Sequence, residues 1–563
     1  MEPLSQPDFR KMGAEMLFFK GFKQYICNEM PIRLIKLPQE EFLDRDGVFF
    51  YLKGKLVVSN DHQDLLSIIA SEMDVAEVTK TPDHTYADAK AEKYIQHSSL
   101  IQKFFKDQTP YAVLSHTWIT PPEGKVESDE KEMSFNDTET IVKENSKIRI
   151  VSPRAKGPGF DKFKMFCHVS SEIYGVEFAW MDTICIDKPT EVNESIGSMF
   201  KWYSNSSICI VHLASTMSYN NVASDPWFTR GWTLQELLVP RRVAFFAQNW
   251  SPMASYDKHD GIRRLKEHKI AKVIHKVTSI AAEELYDFNP GLDRGIPSRM
   301  VWIAKRRTTR GEDIAYSVMG IFGVVFPTDY SEGKEKAFLH LLEAIMHKSI
   351  KPNTLSIFNY AGQSVSNRIH GTNILPSDPE CYLAHHGPLN DFVHYAPLNP
   401  LNLGPNGLKV SLVLVFAVLD KSFSESVANG LQDGIPPTFT CLQNSHAKIW
   451  ADERVVVPLL HNSAVDRAKF ASHNCFVFGI WNFKDKKDEI TLPDICPAFL
   501  LQLQVPTTVS IDLIESTGNL SPASKVDTQN VIVLKKRKDC PTDLVLGKAD
   551  LDYFNLSYVE CRL

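Results

Sequence analysis

The sequence predicts an α/β protein: a parallel sheet with helices on both faces, followed by a helical connector and a β-rich C-terminal domain. Three observations carry this. Four short runs, YAVLSH (111–116), FAWMDTI (178–184), SICIVHLA (207–214) and RVAFFA (242–247), are separated by helical patterns, the alternation that produces parallel strands under crossover helices. The runs are apolar almost throughout, as strands buried on both faces must be. From about residue 371 the texture changes to LKVSLVLVFAVL, RVVVPLL, CFVFGIW, AFLLQLQV and NVIVLKK, punctuated by Pro, Asn, Asp and Gly, which reads as an all-β domain.

In chain order, residues 1–29 read as a loosely specified leader and IRLIKL (32–37) as the first strand. Residues 44–107 mix short helical and strand-like patterns and read as an insertion or an edge subdomain, and the polar stretch near 120–150 as a solvated insertion. After YAVLSH, the stretch 160–175 places Phe163, Phe166, Cys167, Ser170 and Ile173 on one helical stripe. Ile196, Met199, Phe200 and Tyr203 mark the next helix, which Asp187 caps and Pro189 opens. The α/β domain therefore spans 30–250. A helical segment over 251–350 follows, with a capping-box pattern at Thr309 and Glu312, and the β-rich domain occupies 371–563.

The totals exclude several function classes. With 563 residues the chain exceeds one core and should divide into roughly three or four units. A net charge of −6 argues against a nucleic-acid partner, and the one basic run, Lys535 to Lys538, is short. Ten cysteines lie singly, without zinc-ligand spacing, so neither a disulfide framework nor a metal site is indicated. His268 and His275, seven apart, lack a third ligand and read as surface residues. No signal peptide is evident, and the apolar run LVLVFAVL (412–419) is too short for a membrane span; the chain is expected in the cytoplasm. Gly333-Lys334 is followed by Glu335 and Gly54-Lys55 by Leu56, so no P-loop is present.

Ligands of parallel α/β sheets bind beyond the carboxyl ends of the strands. His116, Trp118, Asp182, Asp187 and the helix of WFTRGWTLQELLVP (227–240) all gather at that rim. Together YAVLSHTW (111–118), WMDTICID (180–187) and WFTRGWTLQELLVP resemble the HET (heterokaryon incompatibility) domain of filamentous fungi. RRTTRGEDIAYSVMGIFGV and YSEGKEKAFLHLLEAIM resemble the segment that commonly follows it. The resemblance implies a fungal effector of non-self recognition and programmed cell death, acting through self-association and an incompatibility partner protein. One departure is Ile119, where the family usually has Gly.

Trp232-Thr233-Leu234-Gln235-Glu236-Leu237 is similar to the helix motif Trp-Cys-Leu-x-Glu-Leu of plant TIR domains. That resemblance implies a TIR/flavodoxin-like fold and makes Glu236 the catalytic residue for cleaving NAD at its nicotinamide glycosidic bond, NAD being substrate and no cofactor being required. A carboxylate in a dry cleft would offset the positive charge that develops on the ribose. On a helix Glu236 shares a face with Thr229, Trp232 and Thr233, so Trp232 either flanks a nicotinamide or adenine ring or serves packing alone. His116 would bond a ribose or phosphate, orient Glu236, or act as a structural group. Asp182 would hold a ribose hydroxyl or cap the next turn. Arg230 would meet pyrophosphate or a neighbouring carboxylate, and Trp118 would line a pocket or the core. Cys185 and Cys209 read as buried small hydrophobes. The alternative functional class is an oligomerising interaction module without catalysis.

Overall fold

The computed structural model describes residues 9–59, 61–77, 93, 95–119, 131–143, 146–291, 295–348, 356–358, 360, 375–383, 402–404, 407–429, 436–441, 450, 454–456, 476–481, 483–486, 489–503, 523–525, 532–540, 544–547 and 556–562. The chain forms two compact units, Met1–Phe288 and Asn289–Leu563. The division falls inside the segment expected to be a helical connector.

In the first unit, β1 (Arg33–Lys36), β2 (Glu41–Asp44), β3 (Tyr111–His116), β4 (Thr138–Lys143), β5 (Ser146–Val151), β6 (Phe178–Trp180), β7 (Ile208–His212), β8 (Arg242–Phe246) and β9 (Pro252–Asp257) form one mixed sheet. Their order is β4-β5-β2-β1-β6-β3-β7-β8-β9. The four expected strands are its parallel centre: β6 and β7 flank β3, and β8 continues beyond β7. In sequence order these four run 2-1-3-4, so the order reverses between β3 and β7. The flanking pairs are antiparallel.

The helices are α1 (Phe9–Glu29), α2 (Arg45–Ser59), α3 (Gln63–Glu77), α4 (Ser99–Asp107), α5 (Pro158–His168), α6 (Asp182–Cys185), α7 (Lys188–Asn205) and α8 (Thr233–Leu238). Tyr111 donates its hydroxyl to Trp202 O (2.5 Å) and Tyr203 to Leu114 O (3.0 Å), tying α7 to β3 through two buried bonds.

Four features correct the sequence reading. Residues 9–29 of the expected leader form the 21-residue helix α1, whose Phe18, Phe22, Tyr25 and Ile26 are buried at helical spacing, and residues 1–8 lie outside the described residues. The polar stretch near 120–150 contains the β4–β5 hairpin, while 120–130 lie outside the described residues. Residues 252–257 form β9 rather than helix. They carry one buried apolar side chain, Tyr256, and pair with the edge of β8 because a tight turn over Ala247–Ser251 reverses the chain. Ile173 is 56% exposed, because α5 runs on into a π turn over Val169–Ile173. The wider turn rotates later residues off the buried stripe.

In the second unit, helices Ile296–Ala304, Asp313–Tyr316, Met319–Phe322 and Lys334–Lys348 precede an antiparallel sheet centred on strand Gly407–Leu419. That strand pairs with Phe476–Ile480, Thr438–Cys441 and Leu556–Arg562, and the core includes Val413, Val415, Phe478, Ile480 and Leu500. A strand overlaps each expected run, two residues long in RVVVPLL, with residues 457–460, 475, 504–505 and 530–531 of these runs outside the described residues. No helix among the described residues is long and apolar enough to cross a membrane.

One close approach shapes the rim of the first unit. A Cβ on Gly159, in the first turn of α5, would lie 2.4 Å from Lys131 O and 2.6 Å from Met133 N. Only glycine lets this backbone press against α5 and deliver Glu132 to Lys162. Gly159→Ala should lower stability by about 1–3 kcal/mol and break the Lys162–Glu132 pair. An unchanged urea midpoint would show that the approach is not tight.

Candidate functional site

β3 is buried along its whole length, and successive side chains of a strand point to opposite faces. Ser115 and His116 therefore each begin a different polar constellation at the carboxyl rim.

On the Ser115 face lies Glu236. Every residue of α8 from Thr233 to Leu238 is buried, so the helix carries this carboxyl group inside the protein, with 6% of the residue exposed. Ser115 Oγ donates to Glu236 Oε2 at 2.5 Å, and Trp227 Nε1 donates to Ser115 Oγ at 2.8 Å. The indole N–H occupies the hydroxyl's acceptor side and so aims its single proton at Glu236.

Asp225 holds Trp227 in place. Its buried carboxylate accepts from Trp227 N (3.0 Å), Ser215 N (3.0 Å) and Thr216 Oγ1 (2.8 Å), which pins the turn Pro226–Thr229 to the exit of β7. Thr233 Oγ1 bonds the Trp227 and Arg230 carbonyls and joins that turn to α8. Lys258 Nζ bonds Leu238 O at 2.5 Å, a cation at the helix end where the macrodipole favours one.

Burial is the largest influence on Glu236 and pushes its pKa up to about 8. The hydrogen bond from Ser115 opposes this, the charge of Asp182 adds to it, and Arg230 opposes it.

On the His116 face, Nε2 lies 2.9 Å from Asp182 Oδ1 and Nδ1 lies 3.1 Å from Lys162 Nζ. A carboxylate only accepts and an ammonium only donates, so the His116 proton sits on Nε2. Lys162 also bonds Glu132 Oε2 (2.6 Å) and Thr117 O (3.1 Å). Burial lowers the pKa of Lys162, and Glu132 counteracts it. Trp118 Nε1 donates to Asp182 Oδ2 at 3.0 Å, and the Arg230 guanidinium lies over the Trp118 ring at 4.8 Å. Ile119 N bonds Glu132 Oε2 at 2.8 Å. Among the described residues positive φ occurs outside glycine at Glu40, Trp250 and Ser279, so Ile119 holds its loop in a conformation open to any residue.

The structure thus joins His116, Trp118, Asp182 and Arg230 into one group and sets Glu236 beside it on the other face. His116 does not bond Glu236, and both Asp182 oxygens are engaged by side chains. The expected helical face of Thr229, Trp232, Thr233 and Glu236 does not form, because α8 begins at Thr233 and Thr229 lies in a separate turn. Trp232 stands half-buried before α8, and the ring linked to Glu236 is Trp227. Asp187 precedes α7, where its N–H donates to Glu191 Oε2 (2.9 Å) and its side chain makes no cap bond.

Ser115, Glu132, Lys162, Asp225 and His212 escaped the sequence reading. Alternation along YAVLSH could have found Ser115. Lys162 is the polar residue beside an apolar stripe, and Glu132 gives no signal within a polar run.

Residues 111–221 match the family described as Heterokaryon incompatibility protein (HET). The chain is 39% identical over 249 residues to the Vegetative incompatibility protein HET-E-1 of Podospora anserina, a match covering 42% of this chain and 16% of that protein. The chain thus spans a small part of that relative's length. No solved structure matches it.

The raised pKa of Glu236 makes stability depend on pH. Between 4.5, its ordinary value, and about 8 the folded protein keeps a proton that the unfolded chain has released. Stability from this group is therefore complete below 4.5 and lost as pH rises through about 8. Glu236→Gln should flatten the fall in melting temperature across that window. Parallel profiles for the two proteins would show that Glu236 titrates normally.

Proposed function

We propose that this chain, which carries a fungal HET domain, is a heterokaryon-incompatibility effector of cell death that cleaves NAD at its nicotinamide glycosidic bond. The observation that carries the reading is Glu236: an acidic side chain enclosed at the carboxyl rim of parallel strands and aimed by a hydroxyl. The strand order supports it, since ligands of such sheets sit where the order reverses. So does the likeness of Trp232–Leu237 to the TIR helix, with its TIR/flavodoxin-like fold.

The chemistry follows from the carboxyl's environment. Without substrate Glu236 is largely protonated at neutral pH. A nicotinamide cation beside it would favour the ionised form. As the glycosidic bond lengthens, nicotinamide leaves with the bonding electron pair, positive charge spreads over the ribose, and the carboxylate stabilises that state more than the ground state until water adds to the ribose carbon and loses a proton. The Trp118–Arg230 pair and Trp232 offer surfaces for the bases and pyrophosphate. The protein would act in the cytoplasm, switched on by self-association and by an incompatibility partner.

The burial of Glu236 also favours a second reading, in which a neutral carboxyl group supports the fold of an oligomerising module without turnover. Nicotinamide release by concentrated protein separates the two. Glu236→Gln should reduce the rate at least about a hundredfold, and kcat/KM of the unaltered protein should rise with pH through about 8, as the carboxylate forms. No turnover in either form, with toxicity in cells retained by both, would establish the module.

A further inference from the structure

His212 ends β7 and is the register partner of His116 on β3. The two residues face each other across the place where the strand order reverses, and paired residues on neighbouring strands project to the same face. The residue is 5% exposed. Its Nε2 lies 3.2 Å from Gln248 O, and a carbonyl only accepts, so Nε2 carries the proton and Nδ1 a lone pair. Among the described residues nothing donates to Nδ1. Burial pushes the imidazole down to about 4, with Lys162 and His116 lowering it further, so it is neutral at working pH.

A turn is built around this ring. Trp250 stacks on it with centroids 4.5 Å apart and planes 14° apart. The Trp250 backbone is left-handed, at φ 62°, a conformation that costs a non-glycine residue energy and concentrates at functional sites. Trp250 N bonds Ala247 O (2.8 Å), Ala247 N bonds Ser251 O (3.0 Å) and Gln248 N bonds Thr216 O (2.8 Å). The same turn thus fixes the tautomer through Gln248 and the ring plane through Trp250.

We propose that His212 is a substrate-binding residue whose Nδ1 accepts a hydrogen bond from a ribose hydroxyl of the nucleotide. An anion would meet the lone pair, and a cation would meet the nearby Lys162 ammonium, so a neutral hydroxyl is the donor that suits the position. Nδ1 is enclosed, so binding requires the rim to open on the Nδ1 side of the ring while Gln248 O keeps Nε2. The assignment of a ribose rests on the NAD reading; the need for a neutral donor does not.

The test uses the full chain with Glu236 unaltered, with ¹⁵N-labelled histidine and ADP-ribose, which has no nicotinamide bond left to cleave, as the probe. Binding should move the His212 Nδ1 resonance upfield, and either 2′-deoxy or 3′-deoxy ADP-ribose should fail to move it. His212→Phe should weaken ADP-ribose binding about tenfold, and His212→Asn, which keeps an acceptor at that position, should restore most of it. An unmoved resonance in a protein that still hydrolyses NAD would overturn the role of His212 and leave the enzyme reading intact. A moved resonance without any hydrolysis would keep the site and remove the enzyme. Equal affinity in all variants, with a lower melting temperature, would make His212 a structural residue.

Discussion

A serine hydroxyl held between an indole N–H and a carboxyl group is the constraint on which the rim of this sheet depends. Ser115 can serve Glu236 only because Trp227 fills its acceptor side, and Trp227 is in place only because Asp225 anchors its turn beside β7. Each of these groups is buried. In a low-dielectric interior such bonds are strong and an unmet polar group is costly, so loss of one link would propagate to the others. Glu236 is costly to ionise there, and the same burial that raises its pKa would strengthen its attraction for a cationic substrate.

The parallel centre of the sheet gives this arrangement its second side. Alternation along β3 sends Ser115 and His116 to opposite faces, so one strand end supports an acid held nearly neutral and a charged group of Lys162, Glu132 and Asp182 around His116. Electrostatic influence passes between the two through Asp182 and Arg230, which act on Glu236 in opposite directions. Arg230 also covers the ring of Trp118. Movement of that guanidinium would therefore change both the surface offered to a base and the charge of the acid.

The parallel strands were legible because burial on both faces writes itself as unbroken apolar runs, and YAVLSH, FAW, ICIVH and RVAFF all fall where those runs predict. The strands of the second unit were legible from apolar runs between turn-forming residues. β9 was not, since an edge strand with one buried side chain has no strong pattern and depends on its neighbour's unpaired backbone. Ile173 was misplaced because periodicity assumes a uniform helix, and a π turn breaks that assumption. At the rim, the residues that share a motif were visible and their partners were not. Glu236 and His116 stand out in sequence, whereas Lys162 and Glu132 come from a helix and a polar loop joined only by the close approach at Gly159. The helical face drawn through Thr229 and Trp232 failed because α8 is six residues long and begins after both.

Direct titration of the Glu236 carboxyl carbon by ¹³C NMR, in the unaltered protein and in Ser115→Ala, addresses the central claim most closely. The expected result is a midpoint near 8 that rises further when Ser115 no longer donates to the carboxylate. A midpoint near 4.5, the same in both proteins, would place Glu236 in contact with water and contradict the enclosed, hydroxyl-aimed acid described above.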